Sequence, residues 1–329
     1  MPTGEKNRIS GWVIDYLGLI GVLLLMVLVF SWKTEYFWTM GNLTNIANKI
    51  PENTVVAVGM TFVLIIGGID LSVGAVCALV GMVTGVAAVN GNLPVPVAML
   101  LGLMTGVFCG LINGMISERW RIPSFIVTLG MLEIARGSEL LISNSESLHI
   151  GANIEYWGEA IPGIGITPAF FVAALLVILA QIVLTKTVYG RYMLAIGDNE
   201  EAVRLSGIRS TPVKVGVFAF CGFTAALAGL MKTCQTGTAD PNIGEGLELD
   251  AIAAVVIGGT SLMGGRGSVL KSFLGVLIIA VLDSGLVQML TPDAVKRIVT
   301  GSAIVLAVIL DGYRQQFSVK NLFAKQLGS

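Results

Sequence analysis

Ten apolar stretches of roughly helical length recur along the 329-residue chain, with short polar segments between them. Their cores lie at about 16–31, 54–66, 71–89, 95–116, 125–142, 169–184, 213–230, 251–262, 269–290 and 294–310. Stretches of this kind read as candidate membrane-spanning helices. Two of them are short, with thirteen residues in 54–66 and twelve in 251–262. At 1.5 Å per residue these rise only about 20 Å, against a hydrocarbon core of about 30 Å. Each runs into a glycine-rich break, IIGGIDLSVG at 65–74 and VIGGTSLMGG at 256–265. Both fit [IV]-I-G-G-x-x-L-x-x-G, 191 residues apart. Paired, glycine-interrupted segments in two halves of a chain point to a transport pathway. Backbone can leave helical geometry at membrane depth only where protein or water satisfies its polar groups. The count of spans puts both breaks on one side, which makes the internal repeat parallel. A re-entrant short segment would make it inverted.

One segment contrasts with all of this. Residues 189–208, YGRYMLAIGDNEEAVRLSGI, are the most charged piece of the chain. They read as a short helix with its own signals. Asp198 is placed to cap the first turn and Glu201 follows at capping-box spacing. Glu200 and Glu201 suit the positive end of a helix dipole. Gly207 stands where a helix needs a left-handed residue to stop.

Composition fixes the class. The chain is 54% hydrophobic and 12% charged, where a soluble domain has about 25% charged residues. Lipid must therefore cover part of the surface, and the fold class expected is an all-α polytopic membrane protein of about ten transmembrane helices. It reads as a single transmembrane domain over 1–329, with a cytoplasmic N-terminal segment 1–12, a cytoplasmic loop 186–212 and a cytoplasmic tail 312–329. The 41 glycines suit close helix packing in a membrane. A net charge of −1 gives no support to nucleic-acid binding. Cys77, Cys109, Cys221 and Cys234 form no C-x-x-C pair and read as small packing residues. His149 is the one histidine, so no metal site is expected. The first apolar stretch follows Lys6 and Arg8 but is too long for a signal-peptide core, so it reads as a retained helix.

With the N-terminus in the cytoplasm, fourteen lysines and arginines fall in cytoplasmic segments and four in outer ones. That is the positive-inside bias. It puts both termini and 189–208 in the cytoplasm. The outer loops 143–167 and 235–250 carry carboxylates instead, Glu146, Glu155 and Glu159 in one and Asp240, Glu245, Glu248 and Asp250 in the other. They read as connectors or as a docking surface for an extracytoplasmic partner.

Little chemistry is encoded. Gly259–Gly267 is the nearest approach to a phosphate-binding loop and lacks its lysine. No zinc-protease or nucleophile-elbow motif occurs, and an enzyme reading has little support. Glu133, Arg136 and Glu139 sit at successive i, i+3 positions in the fifth stretch, where Arg136 can pair with either neighbour. They read as a structural ion pair or as part of a pathway, since charges at membrane depth face protein or water. Asp70 is placed to cap a helix starting at Leu71. Ionisable groups beside the breaks are too few to argue for ion-coupled transport.

Four stretches carry a resemblance: VGMTFVLIIGGIDLSVGA at 58–75, IPSFIVTLGML at 122–132, the 189–208 segment, and LELDAIAAVVIGGTSLMGGRGS at 247–268. Over about 12–312 the chain resembles the membrane permease subunit of bacterial ribose-type monosaccharide ABC importers. The resemblance implies an inner-membrane protein with no ATPase of its own. A cytoplasmic ATP-binding subunit, which holds ATP and magnesium, docks on a coupling helix between the sixth and seventh of ten spans. That is where 189–208 lies. It implies Gly190, Arg191, Gly197, Asn199, Glu200, Ala202, Arg204, Leu205, Ser206 and Gly207 as coupling residues. Ala202, Leu205 and Ile208 give the apolar face, Asn199, Glu200 and Arg204 the rim, and Gly190 and Gly197 the turns. It implies a second permease copy, identical or not, and a periplasmic sugar-binding protein. Candidates for the sugar route are Asn53, Thr54, Asp70, Asn113, Thr128, Glu133, Arg136, Thr260 and Ser261. Glu133 departs from the neutral residue the resemblance implies. The alternatives are a related permease for nucleosides or branched-chain amino acids, and a self-sufficient carrier or channel.

Overall fold

A computed structural model describes residues 4–292, with side chains from Tyr16 onward, and 294–296, 298–302, 305, 306 and 309 beyond them. Of the predicted stretch 294–310, the described residues 294–296, 298–302, 305, 306 and 309 are helical, and the tail 312–329 lies outside the described residues. The helices are α1 (Gly4–Lys33), α2 (Met40–Ile65), α3 (Val73–Val89), α4 (Val95–Trp120), α5 (Ser124–Ser143), α6 (Ala152–Glu155), α7 (Pro168–Lys186), α8 (Val188–Leu205), α9 (Ser210–Thr236), α10 (Leu247–Ile257) and α11 (Val269–Gln288). Each of the first nine predicted stretches overlaps a helix, with 251–262 running past the end of α10 into the second break. Among the described residues, five helices are long and apolar enough to cross a membrane: α1 from Tyr16, α4, α7, α9 and α11. The protein is an all-α membrane protein.

Small residues bring the helices together. Gly102, Gly106, Gly110 and Gly114 recur every fourth residue on α4, which puts them in one row. A Cβ on Gly110 would overlap the Phe218 carbonyl of α9, and one on Gly222 the Gly106 carbonyl of α4. The two backbones are therefore in contact, the small-residue packing expected where lipid gives no hydrophobic drive to association. Two turns further along α9, Gly229 sits against the Cys77 carbonyl of α3.

Helix α2 stands in the centre, and residues 54–66 are all buried. It corrects one expectation. The second span is not thirteen residues but 26, with Pro51 inside it. Its first half is polar in sequence and helical in fact, and three of its polar side chains are held by partners on other segments. Asn42 Nδ2 donates to the Phe37 carbonyl (2.9 Å). Asn48 donates to the Gly165 carbonyl (3.0 Å) and accepts from the Thr167 amide (2.9 Å). Glu52 lies 3.5 Å from Lys232 of α9. The second short span is short: α10 has 11 residues.

The two breaks share a sequence pattern but not a conformation. The first has its left-handed glycine at Gly67 (φ 76°) and the second at Gly259 (φ 82°), one position later in the pattern. The second break continues through left-handed Gly264 and Gly265, where the first has already entered α3.

The loops 143–167 and 235–250 are joined. Leu148–His149 (β1) pairs antiparallel with Thr238–Ala239 (β2), Leu148 opposite Ala239.

Candidate coupling site

Helix α8 is two helices in series. The first begins at Thr187, whose Oγ1 accepts from the Gly190 amide (3.2 Å). The chain leaves helical geometry at Asn199 (φ −158°, ψ 93°) and resumes at once. Asn199 Oδ1 accepts from the Ala202 amide (2.9 Å), three residues on, so Asn199 is the cap of the second helix. The cap is thus displaced by one residue from Asp198, and with Ala202 at the third helical position the expected capping box does not form. Glu201 pairs with Arg204 (2.6 Å) rather than reaching back to the cap. At the other end the Gly207 amide donates to the Arg204 carbonyl (3.0 Å) and the Ile208 amide to the Val203 carbonyl (3.3 Å). With Gly207 left-handed (φ 83°), this is the closing motif that a C-terminal glycine allows. The result is a separate helix over 200–205.

Three attachments hold it. Val203 is buried. Glu200 accepts from Ser210 (2.7 Å) and lies 3.1 Å from Lys214 Nζ. Lys214 also contacts Glu118 of α4 (2.6 Å). Partial burial pushes the Glu200 carboxyl up, and the bonds from Ser210 and Lys214 outweigh it and hold the carboxyl below the ordinary range. Ala202 and Leu205 are exposed, Leu205 at 78%, while Ile208 packs partly against the core and is not on the free face. Arg204 and Glu201 form an exposed pair, of the kind that contributes little to stability. Arg191 and Ser206 are exposed, and Ser206 Oγ donates to the Ala202 carbonyl (2.9 Å).

The two glycines expected to turn the chain have helical backbones instead. They allow close approach. A Cβ on Gly190 would overlap the Val183 and Leu184 carbonyls at the end of α7. One on Gly197 would overlap the Ile65 carbonyl oxygen and the Gly265 amide nitrogen. Those two atoms are themselves hydrogen-bonded, Gly265 donating to Ile65 at 2.9 Å. Gly264 and Gly265 leave room only for the backbone of Gly197 and Asp198 in front of them. The root of the exposed helix therefore touches both glycine breaks where they touch each other.

Most of the proposed route residues serve as braces for the breaks in this conformation. Thr128 accepts from the Leu71 amide (3.0 Å) and Ser124 from the Ile69 amide (2.9 Å), so the first turn of α5 grips the first break. Asp70 does not cap a helix at Leu71. Its Oδ1 accepts from the Ser72 amide (2.9 Å) and hydroxyl (2.6 Å), and α3 starts at Val73. Asn113 of α4 donates to Ser72 Oγ (3.0 Å). At the second break Thr260 shares a 3.4 Å contact with Ser272, to which Thr61 of α2 donates (2.8 Å), and Ser261 is buried beside it. Thr54 is buried with its hydroxyl unpaired among the described residues. Arg136 pairs with Glu139 (3.0 Å) and donates to the Pro241 carbonyl (2.7 Å), while Glu133 is exposed on the surface of α5. Asn53 lines a cavity between α2 and α11. Sequence reasoning missed Lys214, Glu118 and Ser124. Lys214 and Glu118 are far apart in the chain, and no motif links them. Gly264 and Gly265 were visible as part of the second break.

The family described as "Branched-chain amino acid transport system / permease component" matches residues 42–308. The ribose import permease RbsC of Escherichia coli K12 is 36% identical over 95% of this chain and 98% of its own. The ribose import permease of Bacillus subtilis is 38% identical over 94% and 97%. The fructose import permease FrcC of Rhizobium meliloti is 35% identical over 84% and 79%. No solved structure matches the chain. With so much of its length shared, the chain belongs to this family of transport-system permease components, among its ribose-type members.

Proposed function

We propose that this chain is the membrane-spanning permease of an ABC importer that carries a monosaccharide across the bacterial inner membrane. A separate ATP-binding subunit, with its ATP and magnesium, drives it from the cytoplasm. A periplasmic binding protein delivers the sugar to the joined outer loops, and two permease copies enclose the route. Ten spans with both termini cytoplasmic fit the distribution of lysine and arginine, fourteen against four. The sugar cargo rests on the relatives that import ribose and fructose.

One observation carries the mechanism. An exposed, self-contained helix is rooted at Gly197 on the one spot where both breaks meet. Closure of the ATPase pair displaces the helix, and the displacement reaches α2, α10 and the turn into α3 through backbone contacts. The energy difference between the two states comes from the partner, because only a ligand that binds the states unequally can shift them. Introducing Ala202→Trp on the free face should abolish ATP-driven uptake while the protein still inserts. Normal uptake in that variant would refute the coupling role. The family's description favours one second reading, a branched-chain amino acid as cargo. The small molecule carried by the copurifying binding protein separates the two.

A further inference from the structure

The outer half of α2 carries Asn42, Asn45, Lys49 and Asn53, a spacing of three, four and four residues that lines one helix face over about 16 Å. Asn42, nearest the outer end, is committed. Its Oδ1 accepts from Ser284 (2.9 Å) and Gln288 (3.1 Å) of α11. Further in, the two helices part around a cavity of about 280 Å³. Its polar lining includes Asn45, Lys49, Asn53, Asp250 and Asp283, together with Asn42, Ser284, Gln288 and Thr300. Ile46 and Ile279 form an apolar wall.

Asn45, Asn53 and Asp283 make no side-chain hydrogen bond or ion pair among the described residues. Asp283 lies five residues inside the end of α11, about 7 Å along its axis. A carboxylate facing lipid at the centre of a helix costs about 2.5–3.5 kcal/mol on insertion scales. Groups like these face water, cargo or another protein. The set offers amide donors, amide and carboxylate acceptors and one ammonium, beside an apolar wall. Alternating donors and acceptors around a flat apolar patch suit a molecule with hydroxyls at its rim and C–H bonds on its face. Asp250 also lines a second cavity of about 180 Å³, with Glu52, Lys232 and Glu245, so polar lining continues past α2.

We propose that this cavity is a waypoint for the sugar on its route, where Asn45, Asn53 and Asp283 exchange hydrogen bonds with its hydroxyls. The assignment rests on the monosaccharide-importer reading. It also places the waypoint on the helix whose inner end, Ile65, meets the coupling junction.

The test uses the full chain reconstituted with its ATPase and binding protein. The four native cysteines are buried and give little background. Asp283→Cys and Asn45→Cys are each exposed to a charged, membrane-impermeant methanethiosulfonate from the outer side. Both should be labelled, and labelling should slow when ribose-loaded binding protein and ATP are supplied. A cysteine at Leu25, exposed on α1, should stay unlabelled. Asn53→Leu should lower uptake about tenfold, the weight of one or two lost hydrogen bonds, and Asn53→Gln should restore most of it. Absent labelling, labelling indifferent to turnover, or wild-type uptake in Asn53→Leu would overturn the waypoint. If the wild-type complex accumulates no monosaccharide at all, the importer reading itself falls.

Discussion

Replacing Gly197 by alanine adds one methyl group at a crowded point where α8 meets both glycine breaks. The new Cβ would overlap the Ile65 carbonyl oxygen and the Gly265 amide nitrogen, both backbone atoms that no rotamer change can move. Overpacking a tight site costs about 1–3 kcal/mol. Relief by pulling the breaks apart would break the Gly265-to-Ile65 hydrogen bond, and an unsatisfied buried amide costs about 1–3 kcal/mol more. The conformation in which the helix seats on both breaks is thus disfavoured by about 2–6 kcal/mol, and each 1.4 kcal/mol is about a tenfold shift in population. Gly197→Ala should therefore lower ATP-driven uptake in proteoliposomes more than tenfold per assembled complex, with the ATPase subunit still bound. Gly21→Ala on α1, where nothing lies within 4 Å, is the matched control and should leave uptake unchanged. Uptake by Gly197→Ala within twofold of wild type would refute the reasoning, because no side-chain adjustment can make room there.

Other variants probe the attachments. Asn199→Ala should cost about 1 kcal/mol in thermal stability through loss of the cap, and Asp198→Ala close to nothing; the reverse order would restore the capping box one residue earlier. Lys214→Met leaves Glu118, 8% exposed, without its cation, and should cost about 1–3 kcal/mol in denaturant titration. Most of that cost should return in the Lys214→Met, Glu118→Gln double variant. Because Glu200 has a lowered pKa in the folded protein, its bonds to Ser210 and Lys214 stabilise above the ordinary carboxylate range and are lost as pH falls through the lowered value. The melting temperatures of wild type and Glu200→Gln should therefore differ at neutral pH and converge in acid, with a constant gap refuting the linkage.

The helices were legible in the sequence wherever lipid or core demanded a continuous apolar run, as in α4, α7, α9 and α11. The outer half of α2 was not legible. Asn42, Asn48 and Glu52 look like loop residues until their partners on α11, the 165–167 turn and α9 are known, and hydropathy contains no information about partners. The capped helix at 200–205 was visible because its stop signal is local. Its start was misplaced by one residue, since Asp198 and Asn199 are equally good caps and only tertiary contact at Gly197 decides which is free to turn. Gly190 and Gly197 were found for the wrong reason. A glycine spared for close approach and one spared for a turn look alike in a sequence. The pairing of Lys214 with Glu118 and Glu200 rests on the third dimension alone. The shared pattern of the two breaks was read as a repeat, yet Gly67 and Gly259 take up their left-handed turns at different positions in it.

The short ladder between Leu148 and Ala239 has a topological consequence. It closes the chain from 148 to 239 into a ring, fastened at this ladder and holding Gly197 near the middle of its contour. Two arms, α7 and α9, run from the fastener to the opposite side. A load applied at the helix is therefore shared between both arms instead of being dissipated by two loops parting. The two loops at the fastened end therefore respond as one rim.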